Sequence, residues 1–367
     1  MIDVKKVSKK RIAFLGGGAY TIPSYRALLE GLGEYYDITV YFEFHYKVNS
    51  TSNLSFKIIP IVSKFRRVRE LCFGMMVLKN LLFKRPNLIH THSTFPSGLW
   101  GIVAGKILGI KVIVSLDAAE ASGLPEIKFG DTLGKKRKFI NKWVINQADE
   151  VIVLTEFLLN QVKNNLKIER SFHVIPRGVS TDKFKFYEKE ISHPLKIINV
   201  AYLNPVKDQY TLLKCFAIIS SQVDSILLHL GEDYHNGEIQ QKVKQMGLEN
   251  KVKFLGLIAN DDLPQYYHDA DILLHTSLFE SQAVVVNEAM ASGVLVCGTR
   301  VGLLADLADT CCVTVRPGDA EELAERVLKL INDREQVFML RKKAYDWAVT
   351  HNLEWTIQQH KAVYESV

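Results

Sequence analysis

The chain has 367 residues, of which 47% are hydrophobic and 23% are charged, and its formal net charge is +6. This is the balance of an ordinary globular chain, and the length predicts two hydrophobic cores rather than one. The five cysteines have no C-x-x-C spacing, which argues against a paired-cysteine metal site and favours reduced core cysteines in a cytosolic protein.

The sequence predicts neither a signal peptide nor a membrane-spanning helix. The basic N-terminal run MIDVKKVSKKRIAFLGGG lacks the cleavage pattern of a signal peptide. Lysines interrupt the most apolar windows, FGMMVLKNLLF and GLWGIVAGKILGIKVIV, so no membrane-spanning helix is predicted.

The first half of the chain alternates β-branched runs with segments of helical period, which predicts a parallel sheet covered on both faces. Its predicted strands are RIAFLGG, YDITVYFEF, NLIHTHS, KVIVSL, DEVIVLT and FHVIP, and its predicted helices are SYRALLEGL, residues 64 to 85, GLWGIVAGKILG and KKRKFINKWVINQA. We assign residues 1–176 to an N-terminal Rossmann-like domain.

A run of three glycines, Gly16, Gly17 and Gly18, follows the first predicted strand and precedes a helix. Such a turn lets backbone N–H groups approach an anion, so it is a candidate phosphate or acceptor loop. A tight turn without ligand is the simpler alternative. A dinucleotide site is disfavoured, because Thr21 stands where a third glycine is needed and Glu43 lies too far along the chain to be the ribose-binding acid.

Positive charge is concentrated in the first half. Residues 1–176 contain 26 Lys and Arg against 14 Asp and Glu, a net of +12, whereas the remainder has a net of −6. Segment 64–85 alone holds seven basic residues and one acid among apolar residues, and segment 135–142 adds five basic residues. This pattern suits an anionic lipid surface or an acidic ligand, a solvated helix face being the alternative. Nucleic acid is disfavoured because no recognition motif accompanies the charge.

A second βα series follows residue 194. Its predicted strands are LKIINVAY, SILLHLGE, KVKFLG, ILLHTS, LVCGT and CVTV, and its predicted helices are DQYTLLKCFAIISS, IQQKVKQMG, LPQYYHDA, VVVNEAMASG and residues 319 to 333. We assign residues 177–350 to a C-terminal Rossmann-like domain and interpret 351–367 as a helix that can return to the first domain. Two such domains are expected to face each other across a cleft, with ligands at the carboxyl ends of the strands.

The stretch FESQAVVVNEAMASG carries two glutamates eight positions apart. Glu280 follows a predicted strand, and Glu288 lies two turns into an apolar helix, where a carboxylate is costly unless it is hydrogen-bonded. Sugar or ribose hydroxyls would satisfy both. The alternative is an acid favoured by the helix dipole at Glu280 and a solvent-facing side chain at Glu288.

This stretch resembles the E-x7-E segment of the retaining glycosyltransferases with the GT-B fold, the large family that includes sucrose synthases and bacterial cell-surface sugar transferases. The resemblance runs from about residue 11 to residue 335 and is most specific at 264–302. It also includes KVIVSLDAAEASG, NQADEVIVLTEF, FHVIPRGVSTDKF, AYLNPVKDQYTLLKCFA, KVKFLGLIANDDLPQYYHDADILLHTS and RPGDAEELAERVLKLINDRE.

The resemblance implies a role for each matching residue. Glu288 would bind the ribose hydroxyls of a nucleotide sugar, Glu280 would lie at the transferred sugar, and Lys207 would hold the diphosphate. The donor would also be bordered by the backbone of Ser281, Gln282, Ala283 and Val284, and its base would rest on Leu257 and Ile258. No metal and no cofactor are implied.

The chain departs from the family pattern at several positions. Tyr202 replaces the usual diphosphate-binding arginine, and Arg177 and Arg300 are candidates to compensate. Asp117 and Glu120 occupy the histidine and acidic positions of the H-G-x-D/E loop. Ser281 and Ala283 replace the glycines that usually follow the first glutamate.

His92, at the end of a predicted strand, is a candidate contact to acceptor or phosphate, a structural histidine being an equal alternative. The predicted function is a retaining transferase that moves a sugar from a nucleotide diphosphate to a hydroxyl of a glycan or lipid-linked acceptor, in cell-surface polysaccharide or glycolipid synthesis. The predicted location is the cytoplasm, with peripheral contact at the inner membrane face. The alternatives are a non-catalytic sugar-nucleotide-binding protein and, less favoured, an epimerase or phosphorylase-like enzyme.

Overall fold

The computed structural model describes residues 9–42, 52–59, 65–117 and 119–367. The chain divides into two compact units. Unit 1 contains the described residues up to Leu154, together with Leu159–Ile175 and Thr356–Val367, and unit 2 contains Thr155–Leu158 and Pro176–Trp355.

Unit 1 is built on a parallel sheet of seven strands among the described residues, in the order β3-β2-β1-β4-β5-β6-β7. These strands are β1 (Arg11–Leu15), β2 (Asp37–Phe42), β3 (Ser55–Ile58), β4 (Leu88–His92), β5 (Lys111–Ser115), β6 (Glu150–Val153) and β7 (His173–Val174). The central strands β1, β4 and β5 are largely buried, as expected for a sheet covered on both faces, and β4 (LIHTH) includes the buried polar residues His90 and Thr91.

The helices of unit 1 are α1 (Pro23–Gly33), α2 (Arg66–Phe83), α3 (Leu99–Leu108), α4 (Lys135–Gln147) and α5 (Glu156–Leu166), the last of which belongs to this unit from Leu159 onwards. The C-terminal helix α13 (Leu353–Glu365) belongs to this unit from Thr356 onwards. There, a buried hydrogen bond of 2.6 Å joins Tyr364 Oη to His90 Nδ1. The C-terminal segment is thereby anchored to the central strand β4.

Unit 2 has a parallel sheet of six strands in the order β10-β9-β8-β11-β12-β13. These strands are β8 (Leu195–Val200), β9 (Ser225–Leu230), β10 (Val252–Gly256), β11 (Ile272–His275), β12 (Leu295–Thr299) and β13 (Val313–Val315). The order steps outward in both directions from the β8–β11 pair. Strands β8 and β11 therefore form the switch point at which ligands bind in open α/β sheets.

The helices of unit 2 are α6 (Gln209–Gln222), α7 (Glu238–Gln245), α8 (Leu263–Asp269), α9 (Val284–Ala291), α10 (Leu303–Asp306), α11 (Ala320–Ile331) and α12 (Arg334–Thr350). Aspartates begin three of them. Asp208, Asp319 and Asp333 each accept a backbone N–H in the first turn of the following helix, the usual way to satisfy a helix N-terminus.

Both predicted parallel sheets are present, and each predicted strand coincides with an observed one. Sequence reasoning missed the edge strand β3 and the helices α5, α10 and α12. Residue Glu43, considered above as a ribose-binding acid, lies outside the described residues. Among the helices that the structure describes, none is both long and apolar enough to cross a bilayer.

Candidate functional site

Charged and polar side chains of unit 2 lie close together at the carboxyl ends of β8 and β11. Lys207, in a short turn of 3-10 helix between β8 and α6, places its Nζ 2.5 Å from Glu280 Oε1. Ser277 Oγ donates to the same oxygen at 2.6 Å, and His275 Nε2 lies 2.9 Å from it. One carboxylate oxygen is thus held by a cation and two polar side chains.

Two backbone loops fix this arrangement. The Leu278 N–H donates to the Val206 carbonyl at 2.8 Å, and Thr276 Oγ1 donates to the carbonyl oxygens of Lys207 and Asp208. The loop after β11 is therefore tied to the loop after β8. As a result, Lys207 and Glu280, 73 positions apart in sequence, face each other.

Glu280 is 8% exposed. Burial alone would raise the pKa of its carboxyl group, but the charge of Lys207 and the hydrogen bond from His275 outweigh that effect and lower the pKa well below its ordinary value. Glu280 is therefore an ionised, internally neutralised carboxylate at neutral pH.

Glu288 has the opposite electrostatics. It lies on α9, is 6% exposed, and accepts a hydrogen bond of 2.9 Å from Tyr267 Oη. Burial raises the pKa of the Glu288 carboxyl group to about 7, although the Tyr267 hydrogen bond and the charge of Lys183 pull it down. The alternative in which Glu288 points to solvent is wrong, because the side chain is buried.

The segment between the two glutamates makes a tight turn into α9. Ala283, the N-cap of α9, has a left-handed φ of 69°, which is uncommon for a residue with a Cβ. The facing residue Gly302 has a φ of +53°, and a Cβ there would lie 2.8 Å from Glu280 Cβ and 2.9 Å from the Gln282 carbonyl oxygen. Close approach of two loops therefore requires glycine at position 302.

Of the other predicted residues of this segment, Ser281, Gln282 and Ala283 are buried and Val284 is partly buried. The Ser281 carbonyl accepts the Thr155 hydroxyl at 2.6 Å, and Val284 begins α9. The Gln282 side chain accepts from the Arg177 N–H and donates to the Arg177 carbonyl, both at 2.8 Å. The Gln282 amide is thus committed to the backbone of Arg177, so any donor contact from this residue would come from its main chain.

The remaining predicted donor residues lie at separate places on unit 2. Leu257, which is exposed, and Ile258, which packs on the core, follow the edge strand β10. Arg300 follows β12 and pairs with Asp309 at 3.1 Å. Tyr202, where the family has arginine, is exposed and packs edge-on against Tyr234 with ring centroids 5.4 Å apart.

The carboxyl ends of the unit 1 strands carry the other predicted residues. His92 ends β4, and its Nε2 lies 3.3 Å from Asp117 Oδ2, just after the neighbouring strand β5. The Tyr25 ring packs edge-on against the His92 imidazole at 4.6 Å between centroids. This arrangement places an imidazole and a carboxylate together at the sheet edge, with both side chains partly exposed.

The glycine run and Glu120 are explained in part by packing. Gly16 has a left-handed φ of 109°, and a Cβ there would lie 3.0 Å from His92 Cβ, while a Cβ on Gly17 would lie 2.6 Å from the Phe42 ring. Gly18 belongs to the same turn of 3-10 helix. Glu120 is buried, and its carbonyl accepts the Asn141 side-chain amide at 3.1 Å.

Sequence reasoning missed four residues of the candidate site: His275, Ser277, Tyr267 and Lys183. His275 and Ser277 could have been found, because His275 ends the strand that Glu280 follows and Ser277 lies two residues after it. Tyr267 and Lys183 act on Glu288 from α8 and from the segment before β8, and no local pattern links those positions.

Two family models together match most of the chain. The model described as Glycosyltransferase Family 4 matches residues 25–183, and the model described as Glycosyl transferases group 1 matches residues 180–347.

Curated relatives are similar along much of the chain, and solved structures share its fold. The chain is 27% identical over 297 residues, 77% of its length and 75% of the relative's, to N-acetyl-alpha-D-glucosaminyl L-malate synthase of Bacillus anthracis. It is 24% identical to alpha-monoglucosyldiacylglycerol synthase of Streptococcus pneumoniae over 56% of this chain and 50% of that one. The structure of HepE from Anabaena in complex with UDP and glucose covers 98% of this chain and 100% of its own, with a TM-score of 0.78 and 18% identity.

The fold of the two units is GT-B, as predicted. The expected family is likewise confirmed: this chain belongs to the group 1, or family 4, glycosyltransferases.

Proposed function

We propose that this protein is a metal-independent, retaining hexosyltransferase that takes a sugar from a nucleoside diphosphate and transfers it to a hydroxyl group. The observation that supports the proposal most is the pair of buried glutamates with opposite electrostatics, Glu280 and Glu288. They lie on either side of one tight turn at the switch point of a sheet in a glycosyltransferase chain.

In this proposal, Lys207 binds the diphosphate. The Lys207 side chain is 21% exposed and its ammonium group pairs with Glu280, so an incoming diphosphate meets a cation already fixed in position. Charge that develops on the leaving diphosphate is stabilised by such a preorganised cation. Glu280 then lies where the transferred sugar reacts, and the N-terminus of α9 adds backbone N–H groups suited to an anion.

Glu288 binds the ribose in this proposal. Two hydroxyl donors would replace the solvation that burial removes from its carboxylate, and they would favour the ionised form. Since the pKa of Glu288 is about 7 without ligand, donor binding should release a proton below neutral pH. Leu257 and Ile258 would support the base of the donor. Uracil is the first base to test, because HepE was solved with UDP.

The acceptor is assigned to unit 1. His92 and Asp117 offer an imidazole and a carboxylate to a sugar hydroxyl, and we propose a glycan or lipid-linked acceptor in cell-surface polysaccharide or glycolipid synthesis. The relative from Streptococcus pneumoniae is named for a glycolipid product. We extend the proposal to a cytoplasmic enzyme in peripheral contact with the inner face of a membrane.

A non-catalytic sugar-nucleotide-binding protein is the second candidate, favoured by the tyrosine at position 202 and the aspartate at position 117. Release of nucleoside diphosphate from UDP-, GDP-, ADP- and dTDP-sugars separates the two. A transferase releases nucleotide faster when acceptor is present, and NMR of the product shows whether the anomeric configuration is kept. Tight donor binding without turnover for any acceptor tested would favour the binding protein.

A further inference from the structure

Helix α2 is apolar on two opposite faces, of which one is buried and the other is largely exposed. Phe73, Val77 and Leu81 are fully buried in unit 1, and Gly74 lies directly against the Trp100 ring of α3. These residues attach the helix to the rest of the unit.

The opposite face carries six large apolar residues whose side chains are largely exposed. Each is between 45% and 84% exposed: Phe65, Val68, Leu71, Met75, Leu82 and Phe83. Positions 68, 71, 75 and 82 follow the three-and-four spacing of a single helical stripe. We call this stripe, with Phe65 and Phe83 at its ends, the α2 apolar face.

Exposed basic residues accompany the α2 apolar face. Lys79 lies within the stripe, Arg69 lies beside it, and Lys84 and Arg85 follow its end. The only acid in the sequence of α2 is Glu70. On α4, Lys135, Lys136 and Lys138 are exposed as well. An apolar stripe with basic neighbours is the composition of a helix that lies in the plane of a bilayer interface.

We propose that the α2 apolar face docks unit 1 onto an anionic lipid bilayer, with its apolar side chains among the acyl chains and its lysines and arginines at the headgroups. Charge complementarity favours lipid over a second copy of this chain. Two copies meeting at this face would bring Lys79 of each against like charge, and α2 offers a single acid to compensate.

The proposal deepens the proposed function by placing the acceptor side of the enzyme at a membrane. The docking step itself needs no nucleotide. Its test therefore uses the full chain without donor, and donor turnover is measured separately on the same samples.

The experiment is flotation with vesicles of phosphatidylcholine containing phosphatidylglycerol, compared with vesicles of phosphatidylcholine alone. We expect binding to the anionic vesicles that weakens as salt rises. The triple variant Leu71→Gln, Met75→Gln, Leu82→Gln should bind at least about tenfold more weakly, since interfacial affinity scales with buried apolar area. These side chains are exposed, so the variant should remain folded. The matched control is Phe338→Gln, Met339→Gln on α12, where the side chains are 45% and 46% exposed.

Charge is tested by Lys79→Glu, Lys84→Glu, which should weaken binding by about 25-fold or more, since each basic residue near an anionic surface contributes roughly fivefold. Its control with the same change of charge is Lys244→Glu, Lys253→Glu on unit 2. Equal binding to both vesicle types, or no loss in the triple variant, would overturn the proposal. So would self-association that the triple variant abolishes, because it would assign the face to a second copy. In each of these three cases, turnover of donor by the same protein would leave the transferase proposal standing.

Discussion

The two units share one architecture but treat their charged side chains differently. In unit 2, Lys207, Glu280, His275 and Ser277 lie at the strand ends within a few ångströms of one another and are largely buried. In unit 1, the corresponding edge holds the looser His92–Asp117 contact at 3.3 Å, and the notable surface is the exposed α2 apolar face. This difference is consistent with the proposal that unit 2 holds a small charged ligand and that unit 1 meets a larger one.

The largest effect should come from breaking the unit 2 cluster. Lys207→Met should lower the turnover of nucleotide sugar by about 100- to 1000-fold, the usual cost of losing a preorganised electrostatic group. The matched control is Lys214→Met, an exposed lysine on α6. Measurement of kcat and KM separately shows whether the loss falls on the chemical step. Full turnover in Lys207→Met would mean that the cluster is structural only.

The same cluster should also contribute to the free energy of unfolding. Lys207→Met leaves the buried Glu280 carboxylate without its cation, so the free energy of unfolding should fall by about 3 kcal/mol. Adding Glu280→Gln removes the unpaired charge and should restore much of that loss. Chemical denaturation of the single and double variants measures the coupling. Additive losses would show that the two side chains do not interact.

Glu288 should make stability depend on pH. Its pKa in the folded protein, about 7, lies above the ordinary value, so the folded state binds more protons than the unfolded state between the two values. The free energy of unfolding therefore falls as pH rises through this window. Relative to Glu288→Gln, the native protein should lose about 2 to 3 kcal/mol between about pH 5 and about pH 8.

Denaturation of both proteins at several pH values checks this prediction, with the exposed Glu325→Gln on α11 as control. If the difference in the free energy of unfolding between the native protein and Glu288→Gln did not change with pH, a raised pKa of Glu288 would be contradicted.

The smallest effect should come from Tyr267. Tyr267→Phe removes the hydroxyl that donates to Glu288 Oε2 at 2.9 Å, at a cost of about 1 kcal/mol. Since that hydrogen bond favours the carboxylate, its loss should also move the pH dependence of nucleotide binding to higher pH. Titration of binding at several pH values measures the shift, with the neighbouring Tyr266→Phe as control. An unchanged pH profile would show that Tyr267 does not tune Glu288.

Much of the fold could be predicted from the sequence because buried parallel strands are continuous apolar runs, such as DILLH before Glu280. The edge strand β3 was missed because SFKI is short, carries Lys57 and is only partly buried. Helix α12 was missed since its exposed and buried residues give little apolar contrast around the helix, whereas α11 beside it has a clear apolar stripe.

The candidate site, like the fold, could be predicted from the sequence only in part. Glu280, Glu288 and Lys207 were recognisable by local pattern, but the contact between Lys207 and Glu280 depends on loops 73 residues apart. The raised pKa of Glu288 depends on burial of its side chain, and no sequence motif predicts that burial. The assignment of donor contacts to Ser281, Gln282, Ala283, Val284, Leu257 and Ile258 stays a prediction, as do the roles of Arg177 and Arg300.

We propose above all that Glu280 and Glu288 mark a nucleotide-sugar site. The most direct test is thermal unfolding of the native protein and of Glu288→Gln with UDP-, GDP-, ADP- and dTDP-sugars, with NAD as control. At about 100 times its dissociation constant, the right donor should stabilise the native protein by about 2.7 kcal/mol, and Glu288→Gln should lose most of this effect. Stabilisation by NAD alone, by none of these compounds, or equally in Glu288→Gln would contradict the account.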